Sequence, residues 1–347
     1  MGYKREKEKA EKKFRRVRAA AAIVLACALA GLCVFSAFYP PSTWKYYVRL
    51  PEISARGEGE LRIHFLDVGQ GDCTLLELPD GRSMLIDGGN GSEESTSAIL
   101  RYLNALEIDR LDFLLLTHSD SDHCGGIAEV LRRKGADRVY APGIENPAAV
   151  GDAYAAFYAA LSEAKGTEAI VSRRYLQINS LSEAFPYTLT FLSPYRTGNP
   201  ESPYDKINSG EYTDADLNDS SAVVWLDYCG TSALFCGDAS AEVERRLMSE
   251  YRVGLFDDCG VALDDTEILK VSHHGSATGT CEEFVGFLGV ETAVISCGAN
   301  NLYGHPAPEV CSRLAAAGAR CFRTDSDGSV VVTVSFGGGY TAEPLSR

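Results

Sequence analysis

Leu111 to Gly126 reads LDFLLLTHSDSDHCGG, and this stretch decides the fold. Leu111 to Thr117 is a short, nearly unbroken apolar run, the pattern of a strand buried on both faces. It leads directly into His118, Asp120, Asp122 and His123, then Gly125-Gly126 and a helical pattern, IAEVLRRKG. Four such side chains at the end of a buried strand need compensation, and buried charges are paired or bound to a metal. Imidazole and carboxylate suit zinc, manganese or iron, and no cysteine pair accompanies them to suggest a closed structural site. A loop at a strand end turns residues i, i+2, i+4 and i+5 toward one point, which an extended strand or straight helix cannot. Gly125 and Gly126 let the backbone turn tightly there. The bland alternative is an acidic turn starting a helix, with Asp122 as its cap. It leaves both histidines and Asp120 unexplained. Cys124 reads as a small packing residue.

H-S-D-S-D-H resembles the second motif of the metallo-β-lactamase fold superfamily, H-x-H-x-D-H, with Asp120 in place of the second histidine. Outward from it stand F-L-D-V-G-Q-G-D (65–72), L-I-D-G-G (85–89), L-K-V-S-H-H-G-S (269–276) and N-L-Y-G-H-P (301–306). Together these resemble the C-terminal hydrolase domain of the ComEC-type DNA-uptake channel proteins and its free-standing relatives, from about Leu61 to about Ser335. The resemblance implies an α/β chain folded as a four-layer αββα sandwich, here preceded by one transmembrane helix. It implies two divalent ions, Zn²⁺ or Mn²⁺, with His118 and Asp120 on one, Asp122, His123 and His273 on the other, and Asp238 between them. Asp122, His274 and His305 are then expected at the reacting groups, with Ser276 and Tyr303 near the substrate. The superfamily's third histidine for the first metal is missing, and Asn218 or Ser220 is expected to take its place through a water. Asp67 is expected to orient a ligand histidine, and Asp87 ends the next strand. His64, inside a strand, reads as a packed or surface residue.

The amino terminus has its own organisation. Residues 1–18 carry nine Lys/Arg against three Glu, and 19–38 carry no charge. Twenty apolar residues cross a hydrocarbon core of ~30 Å as a helix. Tyr39, Pro40 and Pro41 are expected to end it, and Trp44, Tyr46 and Tyr47 suit the far interface. The basic flank predicts a cytoplasmic N-terminus and a single-pass membrane protein whose bulk is extracytoplasmic. Cleavage after Ala28-Leu29-Ala30, or lipidation at Cys27, remain alternatives. Residues 39–59 read as a tether and 60–347 as the hydrolase domain.

Beyond residue 18 the chain has 24 basic and 45 acidic residues, net −21, which opposes loose binding to DNA. Two of the eleven cysteines lie in the apolar segment, and the odd remainder argues against a full disulfide framework. Strands are expected at 61–67, 73–78, 83–87, 137–141, 169–175, 187–192, 232–238, 267–272 and 293–298, and helices at 96–106, 148–165, 241–250 and 307–317. A last strand, 329–336, is expected to close the second sheet. Residues 195–219 have no clear period and read as a long functional or mobile loop. Arg196 within it, with Arg173 and Arg174 before it, are candidate phosphate-binding groups, as is Lys206.

Three carboxylates against two divalent ions leave about one positive charge, and metals lower the pKa of water to roughly 7. The expected activity is hydrolysis of a phosphodiester by a metal-activated hydroxide, with single-stranded DNA as a candidate substrate. Hydrolysis of a smaller phosphoester, such as phosphocholine on a cell-wall polymer, and a non-catalytic, metal-stabilised binding domain are the alternatives.

Overall fold

The structure is a computed structural model describing residues 2–38 and 41–345. It divides into two compact units, Met1–Arg49 and Leu50–Arg347. The first holds one long helix, Gly2–Phe38, that contains an apolar stretch long enough to cross a membrane. The helix runs back through the basic segment because Lys, Glu, Ala and Arg are good helix formers. Tyr39 and Pro40 lie outside the described residues.

The second unit begins earlier than the expected boundary at residue 60. Arg62 donates to the carbonyls of Ser54 and Ala55, and Arg56 to those of Glu60 and Leu78. Residues 50–59, read as tether, are therefore stitched to the folded unit. Its strands are β1 (Leu61–Phe65), β2 (Thr74–Glu77), β3 (Ser83–Ile86), β4 (Leu111–Leu115), β5 (Ala136–Ala141), β6 (Glu168–Val171), β7 (Gln177–Asn179), β8 (Tyr187–Ser193), β9 (Val223–Tyr228), β10 (Thr231–Phe235), β11 (Ile268–Lys270), β12 (Thr292–Ile295), β13 (Arg320–Arg323), β14 (Val330–Val334) and β15 (Tyr340–Pro344). One sheet runs β15-β14-β1-β2-β3-β4-β5-β6 and the other β13-β12-β11-β10-β9-β8-β7.

Each sheet changes character along its width. β1, β2 and β3 pair antiparallel, whereas β3 to β6 are parallel. In the second sheet β7 to β10 are antiparallel and β10 to β13 parallel. Parallel strands deliver their carboxyl ends to one edge, the edge on which open α/β sheets carry ligands. Asp87, His118, Asp238 and His273 all follow such ends.

Between the sheets pack Phe65, Ile86, Phe113 and Leu115 from one and Leu189, Phe191, Val224, Phe235 and Val294 from the other. Each such buried side chain contributes roughly 1.5–3 kcal/mol. The outer face of the second sheet, through Leu234 and Leu269, meets Val243, Leu247, Phe284 and Leu314 of its helices. Helices Glu93–Ala105 and Ile127–Arg133, beside the first sheet, bury Ile99, Leu103, Ile127 and Leu131. The result is a helix–sheet–sheet–helix sandwich.

Two expectations need correction. The strand near the carboxyl terminus joins the first sheet, not the second: β14 pairs antiparallel with β1, Phe65 opposite Val330, and sends Val330, Val332 and Val334 into the core. Residues 195–219 hold two short helices, Pro203–Ser209 and Asp214–Asp219. A proline starts the first and left-handed Gly210 ends it, and Thr213 with Asp216 forms a capping box on the second.

Candidate metal centre

The chain leaving β4 makes one helical turn, Ser121–Cys124, with Asp120 at its N-cap position. The Asp120 carboxylate makes no capping bond, so it stays available to the cleft. Two glycine loops grip this turn through backbone alone. Asp72 N donates to Asp122 O (3.1 Å), Gly88 N to His123 O (2.7 Å) and Gly126 N to Gly88 O (3.2 Å). A side chain at Gly71 would overlap the Asp122 carbonyl, and one at Gly126 the Gly88 carbonyl.

Hydrogen bonding then fixes which nitrogens face inward. Asp87 accepts from Thr117 N and from Thr117 Oγ1, both at 2.8 Å, and lies 2.7 Å from His123 Nδ1. An acidic partner there makes Nδ1 the protonated nitrogen of His123. Because the Thr117 hydroxyl proton goes to Asp87, its oxygen accepts from His118 Nδ1 (3.1 Å). His274 Nδ1 donates to Ser296 O (2.9 Å). In their neutral forms His118, His123 and His274 thus turn bare Nε2 atoms inward.

Those bare nitrogens converge. His123 Nε2 and His274 Nε2 lie 3.3 Å apart. Asp238 reaches His123 Nε2 at 3.1 Å, and Asp122 reaches His274 Nε2 at 3.2 Å. Two lone pairs facing each other among carboxylates repel unless a cation sits with them. His118 Nε2, buried and without a hydrogen-bond partner, lies 3.7 Å from Asp120 and 3.9 Å from Asp238. The donor set, imidazole nitrogen with carboxylate oxygen, fits a divalent ion. Burial opposes charge on His274, but Asp238, Asp72 and Asp122 outweigh it and draw the imidazole up to about 10. Burial also opposes charge on His123, and Asp238 with Asp87 reverses that too. The pocket attracts positive charge strongly.

The paired histidines do not divide as expected. His273 and His274 both have left-handed backbones, φ 49° and 54°, followed by Gly275 at 81°. Such residues cost roughly 1–2 kcal/mol each. In a strand, neighbours point to opposite faces. This turn instead brings both Nε2 atoms to 3.5 Å from Asp238 Oδ2. His274 is the buried member, inside the cluster, and His273 is partly exposed, its Nδ1 bonded to Thr278 Oγ1 at 3.0 Å. His274 thus stands inside the cluster, where His273 was expected, and His273 stands at its rim.

Other expected residues separate. Asp67 is exposed and accepts from Gly69 N at 3.2 Å, an ordinary turn contact. Asp87 does what was expected of Asp67. Asn218 Oδ1 is buried without a partner, whereas Ser220 donates to Leu217 O and Ser221 accepts from Asp238 N. Ser276 is buried beside Thr278, and Tyr303 is exposed over His305. Arg173 and Arg196 are exposed. Arg174 is buried against Glu250 (3.0 Å) and the rings of Tyr175, Tyr195 and Phe256, so it is no surface phosphate group. Lys206 pairs with Asp216 at 2.7 Å. His64 is buried between Tyr102 and Glu77.

Two residues went unnoticed as site groups. Asp72 sits 3.1 Å from His274 Nδ1 and forms a buried ion pair with Lys270. With His123, Asp238 and His274 it makes a tight cluster of possible ligand atoms, though Lys270 already neutralises it. The signal was present: Asp72 ends G-Q-G-D, and a lysine in an apolar strand must find an anion.

The model of the metallo-beta-lactamase superfamily matches residues 66–299. ComE operon protein 3 of Bacillus subtilis is 29% identical over 297 residues, 81% of this chain and 33% of that protein. Competence protein ComA of Neisseria gonorrhoeae is 28% identical over 284 residues, again 81% and 33%. The chain thus spans about a third of the length of these curated relatives. Among solved structures, the metallo hydrolase Igni18 of Ignicoccus hospitalis matches with a TM-score of 0.44 at 14% identity, covering 83% of this chain and all of that one.

Proposed function

Since the chain belongs to the metallo-β-lactamase superfamily and is a metal-dependent hydrolase of that kind, we propose that it cleaves phosphodiesters, with DNA as the leading substrate. The observation that carries this reading is the convergence of bare His123 and His274 nitrogens on Asp122 and Asp238. We assign His118 and Asp120 to one divalent ion, with His273 alongside, and Asp122, His123 and His274 to the other, with Asp238 between. Bound there, the ions supply an activated water and Lewis-acid stabilisation of phosphate oxygens. The chain's own groups do the rest. Asp87 holds the tautomers of His123 and, through Thr117, of His118. His305, whose Nδ1 has no protein partner, is the residue we assign to a substrate oxygen at the leaving group. We assign the exposed Arg173 and Arg196 to flanking phosphates.

Support for phosphate over other esters comes from Asp120, which makes the site richer in hard oxygen than an all-histidine motif and suits manganese as well as zinc. Support for DNA comes from the relatives' competence name. The net −21 beyond residue 18 favours the smaller phosphoester. We further propose that the apolar helix tethers the enzyme to the cell membrane, its N-terminus cytoplasmic and its hydrolase unit outside. The test is digestion of single-stranded DNA, double-stranded DNA and bis-p-nitrophenyl phosphate with Mn²⁺ or Zn²⁺, beside Asp122→Ala. Metal-dependent DNA cleavage lost in the variant is expected. Turnover of the small ester alone selects the smaller substrate, and no turnover on a broad ester panel rejects hydrolysis.

A further inference from the structure

Beside the proposed centre, the loop that carries His305 presents an apolar tip, Leu302 and Tyr303. Leu302 is 100% exposed and Tyr303 71% exposed. This loop is well braced. Asn301 Nδ2 donates to Gly298 O (2.9 Å) and His305 O (2.6 Å), while its Oδ1 accepts from Tyr303 N (3.1 Å) and His305 N (3.0 Å). One side chain thus satisfies four backbone groups and holds two large apolar residues out in water. Tyr303 continues a ladder of rings that starts inside the cluster. His274 and His305 are near-parallel, 25° between planes with centroids 6.3 Å apart, and His305 and Tyr303 follow at 24° and 5.6 Å.

Resting on the phosphodiesterase reading, we infer that Tyr303 is a stacking platform for a nucleobase flanking the scissile phosphate, with Leu302 packing on the adjoining sugar. His305 lies offset against the Tyr303 ring and, among the described residues, no further ring lies against it, so a flat face is open to a ligand. One flat face suits a base, because every base has a π-face and stacks without sequence preference. A quaternary ammonium is recognised by a cage of rings, which a single free face does not make. A base inside a duplex already has both faces covered, so the platform selects single-stranded substrate. His305 beneath it is the residue we have assigned to the ester, so that one loop reads both base and phosphate.

The test measures binding apart from turnover. Fluorescein-labelled hexathymidylate and an abasic hexamer of equal charge are titrated by anisotropy into the full chain in detergent, in an Asp122→Ala background, with Tyr303, Tyr303→Phe or Tyr303→Ala. Tyr303→Ala should weaken hexathymidylate roughly 5- to 150-fold, the worth of one stacked base. It should leave the abasic strand nearly unchanged, and Tyr303→Phe should retain affinity. Equal hexathymidylate affinity with and without the ring, or equal loss on both strands, would overturn the inference. So would failure to bind hexathymidylate, or stronger competition by phosphocholine than by thymidine 5′-phosphate. Failure of the hydrolytic reading appears separately, as absent cleavage by the wild-type chain while ring-dependent binding persists.

Discussion

His274 and His273 show how far a single residue's role can be read from sequence. The motif H-H-G-S placed imidazoles at a strand end, but strand logic assigns one neighbour inward and one outward. Only the left-handed backbone at both positions reveals that both reach Asp238. Such strain appears in sequence only as the following glycine. Burial then ranks them: His274 is enclosed by Asp122, Asp238 and His123, while His273 sits at the rim. His274→Ala should therefore lose more bound metal than His273→Ala, measured by elemental analysis after dialysis. Greater loss in His273→Ala would restore the first assignment. Asp87 was legible as an acid at a strand end, and its command over two tautomers was not, since that depends on Thr117 in between.

Among the elements, the strands were the most readable part. Leu111–Leu115 is a strand with every side chain but Asp112 buried, as the apolar run there required. The helices of 203–219 were missed although proline, glycine and a capping box announce them, because their apolar period is too short to see. The placement of β14 depends on which sheet edge is open, which no local pattern states. The link between β11 and the loop after β1 was missed for the same reason. Lys270 and Asp72 are both buried there and paired. Burial opposes charge on Lys270, and Asp72 with Asp238 overrides it, so the ammonium stays protonated. Removing one member of such a pair costs about 3–5 kcal/mol. Lys270→Met should lower stability by that amount in urea unfolding, and Lys270→Met/Asp72→Asn should recover part of it. A harmless Lys270→Met would mean the pair does not hold the two elements together.

The whole molecule carries a pH dependence that starts away from the centre. His64 is buried beside Glu77 (2.8 Å) and Tyr102 (2.9 Å), with Arg62 nearby. Burial holds it below its ordinary 6.5 despite the attraction of Glu77. Burial would raise Glu77, but His64 and Arg62 bring it below 4.5. Both groups bind protons more readily unfolded. Their stabilisation is therefore complete above those ordinary values and lost as pH falls, first through His64 below 6.5. The Tm of the metal-free chain should fall less between pH 7 and 5.5 in His64→Gln than in wild type; an unchanged slope would remove His64 from the account. Fold class was legible because five motifs in fixed order constrain a whole sandwich, whereas the substrate was not, since it depends on a surface built from distant loops. The central claim, that remote strand ends jointly hold metal, is tested most directly by counting it. Elemental analysis of the full chain purified in detergent should find about two divalent ions per chain, as a two-metal site requires. Asp238→Ala, still folded by circular dichroism, should retain at most one. A wild-type chain that binds no metal in stoichiometric amount, or an Asp238→Ala chain that binds as much as wild type, would contradict it.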